Sequence, residues 1–318
     1  MKTFFAMTKR NVKLFFKDKG MFFSSLITPV ILLVLYATFL AKVYKDTFQS
    51  AIPEGFQAEG LSSMIDGMVG AMLVSSLLAV SCVTVAFCSN LIMVQDKFNG
   101  VKKDFMVTPV KRSVLSLSYY FGTLINTLAV GLIATALGFV YLACVGWYMS
   151  FTDVLLFIVD VIILSTFGTA LSSIVNSFLS TQGQMSAVGT IVSAGYGFIC
   201  GAYMPISQFG DVLRNVLSFL PGTYGTSLIK NHALNGVFNE MVKKGFPTEV
   251  ISGSENAVGI KESVDCTIKF FGMEVSEGAC YAVMLGSILL LIAVFVLINV
   301  LKDRKRKNKK EKAEKISA

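Results

Sequence analysis

The sequence contains few of the residues that most soluble catalytic sites need. Only 15% of its 318 residues are charged, and it has a single histidine. Soluble domains average about 25% charged residues, so a large water-soluble core is excluded. One histidine excludes a histidine-based zinc cluster, and the six cysteines form no Cys-x-x-Cys pair. We therefore expect no metal site and no cofactor on this chain.

Motifs for nucleotide hydrolysis and acyl transfer are also missing. The chain has no Gly-Lys dipeptide, and hence no phosphate-binding P-loop, and no Gly-x-Ser-x-Gly. A paired-carboxylate site would need two acids at one membrane depth, and only Asp160 lies well inside an apolar run. An enzyme is therefore not expected. Energy for any transport work would come from another chain or from an ion gradient.

Long apolar runs dominate what is present. The chain is 54% hydrophobic with a mean hydropathy of +0.67. A hydrocarbon core about 30 Å thick needs about 20 apolar residues per helix. Six stretches are long enough, at about 21–41, 67–94, 114–141, 153–178, 186–204 and 279–301. We predict an all-α polytopic membrane protein with one six-span domain over residues 21–301.

Basic residues fall on one side of these predicted spans. Residues 1–20 hold six Lys or Arg, residues 95–113 hold five, and the tail 302–318 holds nine of the 28 in the chain. Short basic loops stay in the cytoplasm, so both termini are expected there, in a multi-pass protein of the cell membrane. Anionic lipids account for the net charge of +8, and no nucleic acid is expected as a partner.

The two ends of the chain read as membrane-surface segments. Residues 1–20 place phenylalanines on one helical arc and Lys and Arg on the adjacent arc, which is typical of a helix lying in the membrane interface. A turn at Asp18 leads into the first span, which Pro29 would kink. The tail 302–318 is expected to be disordered or to lie on lipid.

The loop 95–113 carries a helical pattern of its own. Phe98, Val101 and Phe105 recur at intervals of three and four residues, so they share one face of a short helix. Pro109 disfavours helical backbone at Thr108 and should end the element there. This pattern predicts a short amphipathic helix across the cytoplasmic mouth of the bundle.

Small residues mark the second and fifth predicted spans. The second is rich in hydroxyl side chains, including Ser75, Ser81 and Thr84, which either pack against neighbouring helices or line a passage. The fifth has a stripe of small residues that suits close helix packing, within the chain or against a second copy. The stripe consists of Gly189, Ser193, Gly197 and Gly201.

The regions assigned to the outer side raise five further expectations. Residues 42–66 should form a modest loop, and residues 205–278 should contain short re-entrant helices around Pro221 before the last span. Asp160 is either part of an ion relay or an acid paired with polar neighbours. His232 is expected to be exposed or to cap a helix. A bridge between Cys266 and Cys280 is one option that their spacing leaves open.

In order and spacing, these segments resemble the permease subunit of an ABC-2 type transporter. The stretch from Arg10 through Asp18 and Pro29 resembles the interfacial elbow helix and first span of that family. Outer residues from Pro205 to Pro221 resemble its re-entrant helices. The loop after the second span resembles its coupling helix. The matching loop positions are Asp96, Lys97, Gly100, Thr108, Pro109, Val110 and Arg112.

The resemblance implies a mechanism and a set of partners. Two permeases, identical or different, would pair and dock on two cytoplasmic ATPase subunits, which bind ATP and Mg²⁺. In the loop, Phe98, Val101 and Phe105 would seat on the ATPase or pack under the bundle. Polar contacts to the ATPase would come from Asp96, Lys97, Lys102, Lys103 and Asp104. Partner choice is expected at Lys102 and Lys103, where the loop departs from the family pattern.

The substrate is less constrained by the sequence. The family implies outward movement of a small amphipathic molecule such as a drug, an antibiotic or a peptide, with a polysaccharide or lipid-linked glycan as the main rival. Contacts are expected on the polar faces of the second and fifth spans, near Ser75, Ser81, Thr84 and Ser193. An ion-coupled secondary transporter or channel is the alternative, and it predicts intramembrane charge networks or inverted repeats.

Overall fold

The computed structural model describes residues 2–50, 60–108, 110–253 and 259–317. Within these ranges the chain is largely helical, which confirms the predicted all-α polytopic class. Pro109, whose effect was predicted to end a helix at Thr108, itself lies outside the described residues. The first helices are α1 (Lys2–Lys17), α2 (Lys19–Leu35), α3 (Ala41–Ser50), α4 (Leu61–Phe98), α5 (Val101–Val107), α6 (Arg112–Val145), α7 (Phe151–Phe178) and α8 (Gln182–Ile199).

The second half of the chain adds shorter elements before one long helix. They are α9 (Asp211–Leu217), α10 (Pro221–Lys243), α11 (Thr248–Ser252), α12 (Ile260–Ser263), strands β1 (Ile268–Phe270) and β2 (Met273–Val275), and α13 (Glu277–Ser317). The two strands form an antiparallel hairpin in which Ile268 faces Val275. This hairpin was not predicted. The basic tail continues α13 as a helix, so the alternative of a disordered tail was wrong, and a position on lipid stays a prediction.

Five helical stretches in the described ranges are long and apolar enough to cross a membrane. They are Lys19–Asp46, Leu61–Phe98, Arg112–Val145, Phe151–Phe178 and Glu277–Leu301. The remaining predicted span, the fifth, corresponds to α8, whose 18 residues rise about 27 Å. Glutamines at its start and many small residues make α8 less apolar than the other five.

The first span is longer than predicted. Asp18 caps α2 by accepting a hydrogen bond from the Met21 amide at 3.0 Å. The helix runs through Pro29, passes through a π-helical turn at Tyr36–Leu40 and continues as α3. Stacked aromatic rings of Tyr36, Tyr44 and Phe48, all buried, stabilise this extension. The expected loop 42–66 is therefore helical up to Ser50 and again from Leu61.

Helix α4 lies at the centre of the bundle. In an 18-residue apolar stretch of α4, 89% of the residues are buried. In the equivalent stretch of α13 only 17% are buried. It packs against α2, α6, α7, α8 and α10. Close approach needs small residues, since a Cβ atom at Gly168 of α7 would lie 2.9 Å from the Cys82 carbonyl oxygen of α4. The hydroxyl side chains of α4, Ser75, Ser81 and Thr84 among them, are buried between these neighbours.

Short connections make successive spans run in opposite directions and give the bundle two distinct ends. We call one the basic end; it holds α1, α5 and the chain between α7 and α8. We call the other the distal end; it holds α3, the α6–α7 turn and the elements from α9 to the hairpin. Helix α10 belongs to the distal end and packs against α4, α7 and α13.

Candidate functional site

The short helix predicted after the second span is present at the basic end. Helix α4 ends at Phe98, and Gly100 adopts a left-handed conformation (φ +83°) that turns the chain into α5. Thr108 is extended, as expected before a proline, and its hydroxyl donates to the Phe105 carbonyl oxygen at 2.7 Å. A glycine and a threonine therefore set the two limits of this helix.

The apolar residues of this segment face in two directions. Phe105 packs against the buried cluster that includes Met93 and Leu115, and Val101 is half-buried. By contrast, Phe98 is 42% exposed and Val107 is 88% exposed. The predicted common face of Phe98, Val101 and Phe105 is thus divided. Phe105 anchors α5 under the bundle, and Phe98 and Val107 remain on the surface.

Arg10 of α1 joins three elements at this end. Its guanidinium donates two hydrogen bonds to the Asp96 carboxylate, at 2.7 and 2.9 Å, and lies 5.3 Å from the centre of the Phe105 ring. The Tyr119 hydroxyl of α6 donates to the same carboxylate at 2.5 Å. Hydrogen bonding to Asp96 is the main cause of the raised pKa of Arg10. Because this ion pair has two parallel hydrogen bonds, it fixes the relative orientation of the Arg10 and Asp96 side chains as well as pairing their charges.

Helix α1 also packs closely on α6. The Asn11 side-chain amide donates to the Ser118 carbonyl oxygen at 3.1 Å, and a Cβ at Gly122 would lie 2.9 Å from the Cβ of Asn11. Phe15 of α1 is fully buried. Phe5 and Phe16, on the predicted apolar arc, stay exposed. The amphipathic helix is therefore docked on protein along one side, and part of its apolar face is exposed.

Two of the predicted ATPase contacts face inward instead. Asp96 is buried in the network around Arg10, and the Lys97 ammonium donates to the carbonyl oxygens of Asn176, Ser177 and Leu179 at 2.7–3.1 Å. These carbonyls lie at the end of α7, where helical partners are lacking. The spacing of residues within the loop cannot predict the inward position of Lys97, because its carbonyl acceptors lie about 80 positions further along the chain.

The other polar residues of the loop lie closer to the surface. Lys103 and Asp104 of α5 are exposed, and Lys102 is half-buried. Asn99 and Thr108 are exposed as well. We give the name α5 surface to four of the exposed residues of this segment, Phe98, Lys103, Asp104 and Val107. It combines two apolar side chains with one charge of each sign.

The predicted substrate contacts are only partly brought together. Ser75, Ser81 and Thr84 are buried and donate their hydroxyls to carbonyl oxygens three or four residues earlier in α4. Thr84 and Ser193 line one small cavity between α4 and α8, together with Gly189. Ser75 and Ser81 do not line it.

The small-residue stripe of α8 is packed within the chain at one end and open at the other. Gly197 packs against the Tyr203 ring, and Gly201 lies beyond the helix with φ +75°. Gly189 and Ser193 line the cavity just described, and the Thr28 hydroxyl of α2 donates to the Ser193 carbonyl oxygen at 3.3 Å. A Cβ at Gly189 would meet no atom within 4 Å. Packing of this open part against a second copy stays a prediction.

Asp160 is paired, and its partner is the single histidine. The carboxylate lies 2.6 Å from His232 Nδ1 and accepts a hydrogen bond from the Tyr281 hydroxyl at 2.7 Å. Glu277 lies 3.0 Å from His232 Nε2. Burial lowers the pKa of His232, but hydrogen bonding and attraction to Asp160 and Glu277 outweigh it, so the pKa is raised. The expectation of an exposed or capping histidine was wrong, because α10 lies between α7 and α13.

A second buried ion pair was missed altogether. Lys230 of α10 has no exposed surface; its ammonium donates to the Gly201 carbonyl oxygen at 2.8 Å and lies 3.5 Å from Asp265. Asp265 in turn accepts hydrogen bonds from the Ile206 and Ser207 amides at 2.6 and 3.1 Å. No motif signals this pair, because its members are 35 residues apart in a polar segment.

The cysteines of the distal end are not bridged. Cys266 and Cys280 are both buried free thiols that line the same cavity, so the disulfide that their spacing allowed is absent from the structure. Burial raises the pKa of Cys266 to about 12, which keeps the thiol protonated and unreactive. Cys144 at the end of α6, in contrast, is exposed.

Comparison with known proteins identifies the family. A comparison with curated proteins found no match. The family model described as ABC-2 type transporter matches residues 2–231, which include the elbow-like helix, the α5 surface and the first turns of α10. Members of this family are membrane components of ABC transporters and generally work with an ATPase on a separate chain. The chain belongs to the ABC-2 type transporter family, as a multi-pass permease subunit.

Proposed function

We propose that this permease exports a small amphipathic substrate across the cell membrane, driven by a separate ATPase subunit that binds ATP and Mg²⁺. The basic end faces the cytoplasm, with both termini, and the distal end faces outward. A second permease, identical or different, completes the transporter. The charge asymmetry of the loops supports this orientation.

The α5 surface is the observation that carries the proposal. It places Phe98 and Val107, two exposed apolar side chains, on a short segment at the basic end. An exposed apolar patch on a protein surface is typical of an interaction site. Lys103 and Asp104 beside them supply polar contacts at the rim. The inward positions of Asp96 and Lys97 leave docking to these four residues.

Movement of α5 would reach the bundle through Arg10. Phe105 of α5 lies against the Arg10 guanidinium, which is held by Asp96 at the end of α4. Tyr119 adds α6 to the same joint. A displacement of α5 by the ATPase would therefore carry α1, α4 and α6 with it as one body, a rigid-body transition of the kind that transporters use.

The need for a second permease is supported by how tightly one chain is packed. Ser75, Ser81 and Thr84 are buried in α4, and the cavity at Thr84 and Ser193 is small. A path for an amphipathic molecule would therefore run between two permeases, or would open only when the joint at Arg10 moves α4 away from α8.

The ion-coupled alternative has less support. It needs an intramembrane acid that can exchange a proton or an ion with water. Asp160 is buried, and both of its oxygens are engaged by His232 and Tyr281. Such an arrangement suits a structural role. Export of a polysaccharide or lipid-linked glycan differs only in the substrate and would use the same α5 surface.

Docking is tested by co-expression of the permease with a panel of ABC ATPases from the same organism, followed by co-purification. We expect Val107→Asp to reduce ATPase recovery about tenfold, because it places a charge in the centre of an apolar contact. Val212→Asp is the matched control, since Val212 is 81% exposed at the distal end. It should leave recovery unchanged.

Equal recovery with Val107→Asp and with the control would show that the α5 surface is not the docking element. Transport that persists in vesicles without ATP would refute the ATP-driven mechanism itself. Substrate direction follows from the same vesicles: an exporter accumulates its substrate inside inverted vesicles and not inside right-side-out ones.

Orientation has a separate test in cysteine labelling. A membrane-impermeant maleimide should label the exposed Cys144 in intact cells. In a Cys144→Ser background, Lys103→Cys should be labelled only after the membrane is opened. Labelling of Lys103→Cys in intact cells would place the basic end outside.

A further inference from the structure

The hairpin of β1 and β2 is amphipathic and has an apolar tip. Cross-strand partners share one face of a hairpin, and successive residues alternate between its faces. Lys269 and Glu274 are partners and form a polar face. The apolar face consists of Ile268, Phe270, Met273 and Val275. At the base of this face Ile268 is buried in the core, whereas Met273 beside the turn is 68% exposed.

The turn of the hairpin carries an aromatic residue that its backbone does not favour. Phe271 and Gly272 form the two-residue turn with φ of +49° and +84°. Asn-Gly or Asp-Gly is the usual choice where both turn residues need positive φ, and a bulky side chain is strained there. The ring of Phe271 is nevertheless 55% exposed. Since turn formation does not explain this residue, we look for a contact outside the chain.

A third phenylalanine extends the apolar tip. Phe219, which follows α9 and is 63% exposed, has its ring centre 5.2 Å from that of Phe270 and 5.7 Å from that of Phe271. We give the name tip surface to Phe219, Phe270, Phe271 and Met273. Two basic side chains of the adjoining segments are each paired with an acid at 2.7 Å. These pairs are Lys269–Glu262 and Arg214–Asp211. The tip surface therefore combines apolar groups with neighbours whose charges are balanced.

The length of α13 places the base of the hairpin at the membrane surface. The spanning part, Glu277–Leu301, has 25 residues and rises about 37 Å. A hydrocarbon core measures about 30 Å, and a bilayer with its headgroups about 40–45 Å. A span of this length, centred in the bilayer, puts Glu277 in the headgroup layer. The hairpin ends at Val275, and its three-residue strands keep the tip within about 10 Å of that layer.

We propose that the tip surface inserts into the membrane at the distal end, at the boundary between phospholipid headgroups and acyl chains. Phenylalanines on an amphipathic element bury about 5–10 Å deep at this boundary. Because the neighbouring cations are already paired, a zwitterionic phospholipid suffices and an anionic one is not needed. The hairpin lies outside residues 2–231, the part that matches the family model. The contact requires neither an ATPase nor a substrate, so it can fail or hold independently of the proposed function.

Tryptophan fluorescence of the full chain in phosphatidylcholine nanodiscs tests this contact. Trp147 is the single tryptophan, so Trp147→Phe provides a silent background. In that background, Phe271→Trp should be quenched about threefold more than Glu274→Trp by phosphatidylcholine with bromine near the headgroup end of an acyl chain. Aqueous iodide, which reaches both faces of a nanodisc, should quench the two proteins in the opposite order. Glu274→Trp is the matched control, since Glu274 is exposed on the polar face of the same hairpin.

Met273→Trp reports on the same apolar face and replaces Phe271→Trp if that protein fails to fold. Iodide quenching of Phe271→Trp as strong as that of the control would place the tip surface in water and overturn the proposal. Protection of Phe271→Trp from both the brominated lipid and iodide would also overturn it, because a protein surface, such as that of a second copy, would then cover the tip surface.

Discussion

The two ends of the bundle each contain an ion pair, and the pairs differ in how much water they meet. Arg10 at the basic end keeps 31% of its side chain exposed while it holds Asp96. Lys230 at the distal end has no exposed side-chain surface, and its partner Asp265 has 7%. Breaking a fully buried pair leaves a charge without water, whereas an exposed partner can be rehydrated. The distal pair therefore suits a fixed structure, and the basic pair suits a joint that moves.

The elements joined by each pair support this contrast. Arg10 links α1, α4 and α5, the parts proposed to move with the ATPase. Lys230 and Asp265 join α10 to the turn after α8 and to the loop before the hairpin, all within the distal end. Four substitutions test the comparison.

Asp265→Asn should have the largest effect on stability. Asparagine tolerates the left-handed backbone at this position (φ 61°), so the change removes mainly the charge. We expect a loss of about 3–5 kcal/mol, because Lys230 is left buried without a counter-charge. Thermal unfolding of the detergent-solubilised protein measures it. The double variant Lys230→Met/Asp265→Asn should recover much of the loss; a double variant no more stable than the single would argue against charge as the cause.

Arg10→Ala should reduce the coupling of ATP hydrolysis to transport more than it reduces binding of the ATPase subunit. The change leaves Asp96 with only Tyr119 and costs about 1.5–3 kcal/mol of stability. We expect ATPase co-purification to persist while transport per bound ATP falls. Arg10→Lys is the graded control, because lysine keeps the charge but cannot form the two-pronged pair. Equal loss of ATPase binding and of transport would assign Arg10 to the docking contact instead of the joint.

Asp160→Asn should have a small effect on transport. Its partners His232 and Tyr281 can still hydrogen-bond to an amide, so transport per folded molecule should stay within about twofold. Substrate uptake into inverted vesicles, normalised to folded protein, measures this. Abolished transport with normal assembly would show that Asp160 relays an ion, and that the distal end is not only structural.

His232 should give the distal end a modest dependence on pH. Because its pKa is raised in the folded state, its stabilising effect is fully present below the unfolded value of about 6.5. The effect is lost as pH rises through the higher folded pKa. Melting temperatures from pH 5.5 to 8.5 should therefore fall for the native chain. With His232→Gln this fall should shrink, and an unchanged slope would assign it to another group.

Much of the fold could be predicted because the membrane imposes a simple rule. A run of about 20 apolar residues crosses the membrane as a helix, whichever other segments pack around it. Five of the six predicted spans meet that rule. Helix α5 was predictable because its signals, the apolar spacing and the approach to a proline, are local. The extension to Ser50 was not predictable, since the polar residues of α3 hide a helix held by the buried rings of Tyr44 and Phe48.

The sequence by itself determined the membrane class, the spans, the basic end and the absence of a P-loop, because these depend on composition and on residues close together in the chain. Tertiary structure alone decided which charges are paired. Asp96 and Lys97 turn inward, His232 meets Asp160 across 72 positions, and Lys230 meets Asp265 across 35. Such pairs depend on which helices become neighbours, and no local spacing encodes that. The surface left for an ATPase is what remains once those pairs have formed.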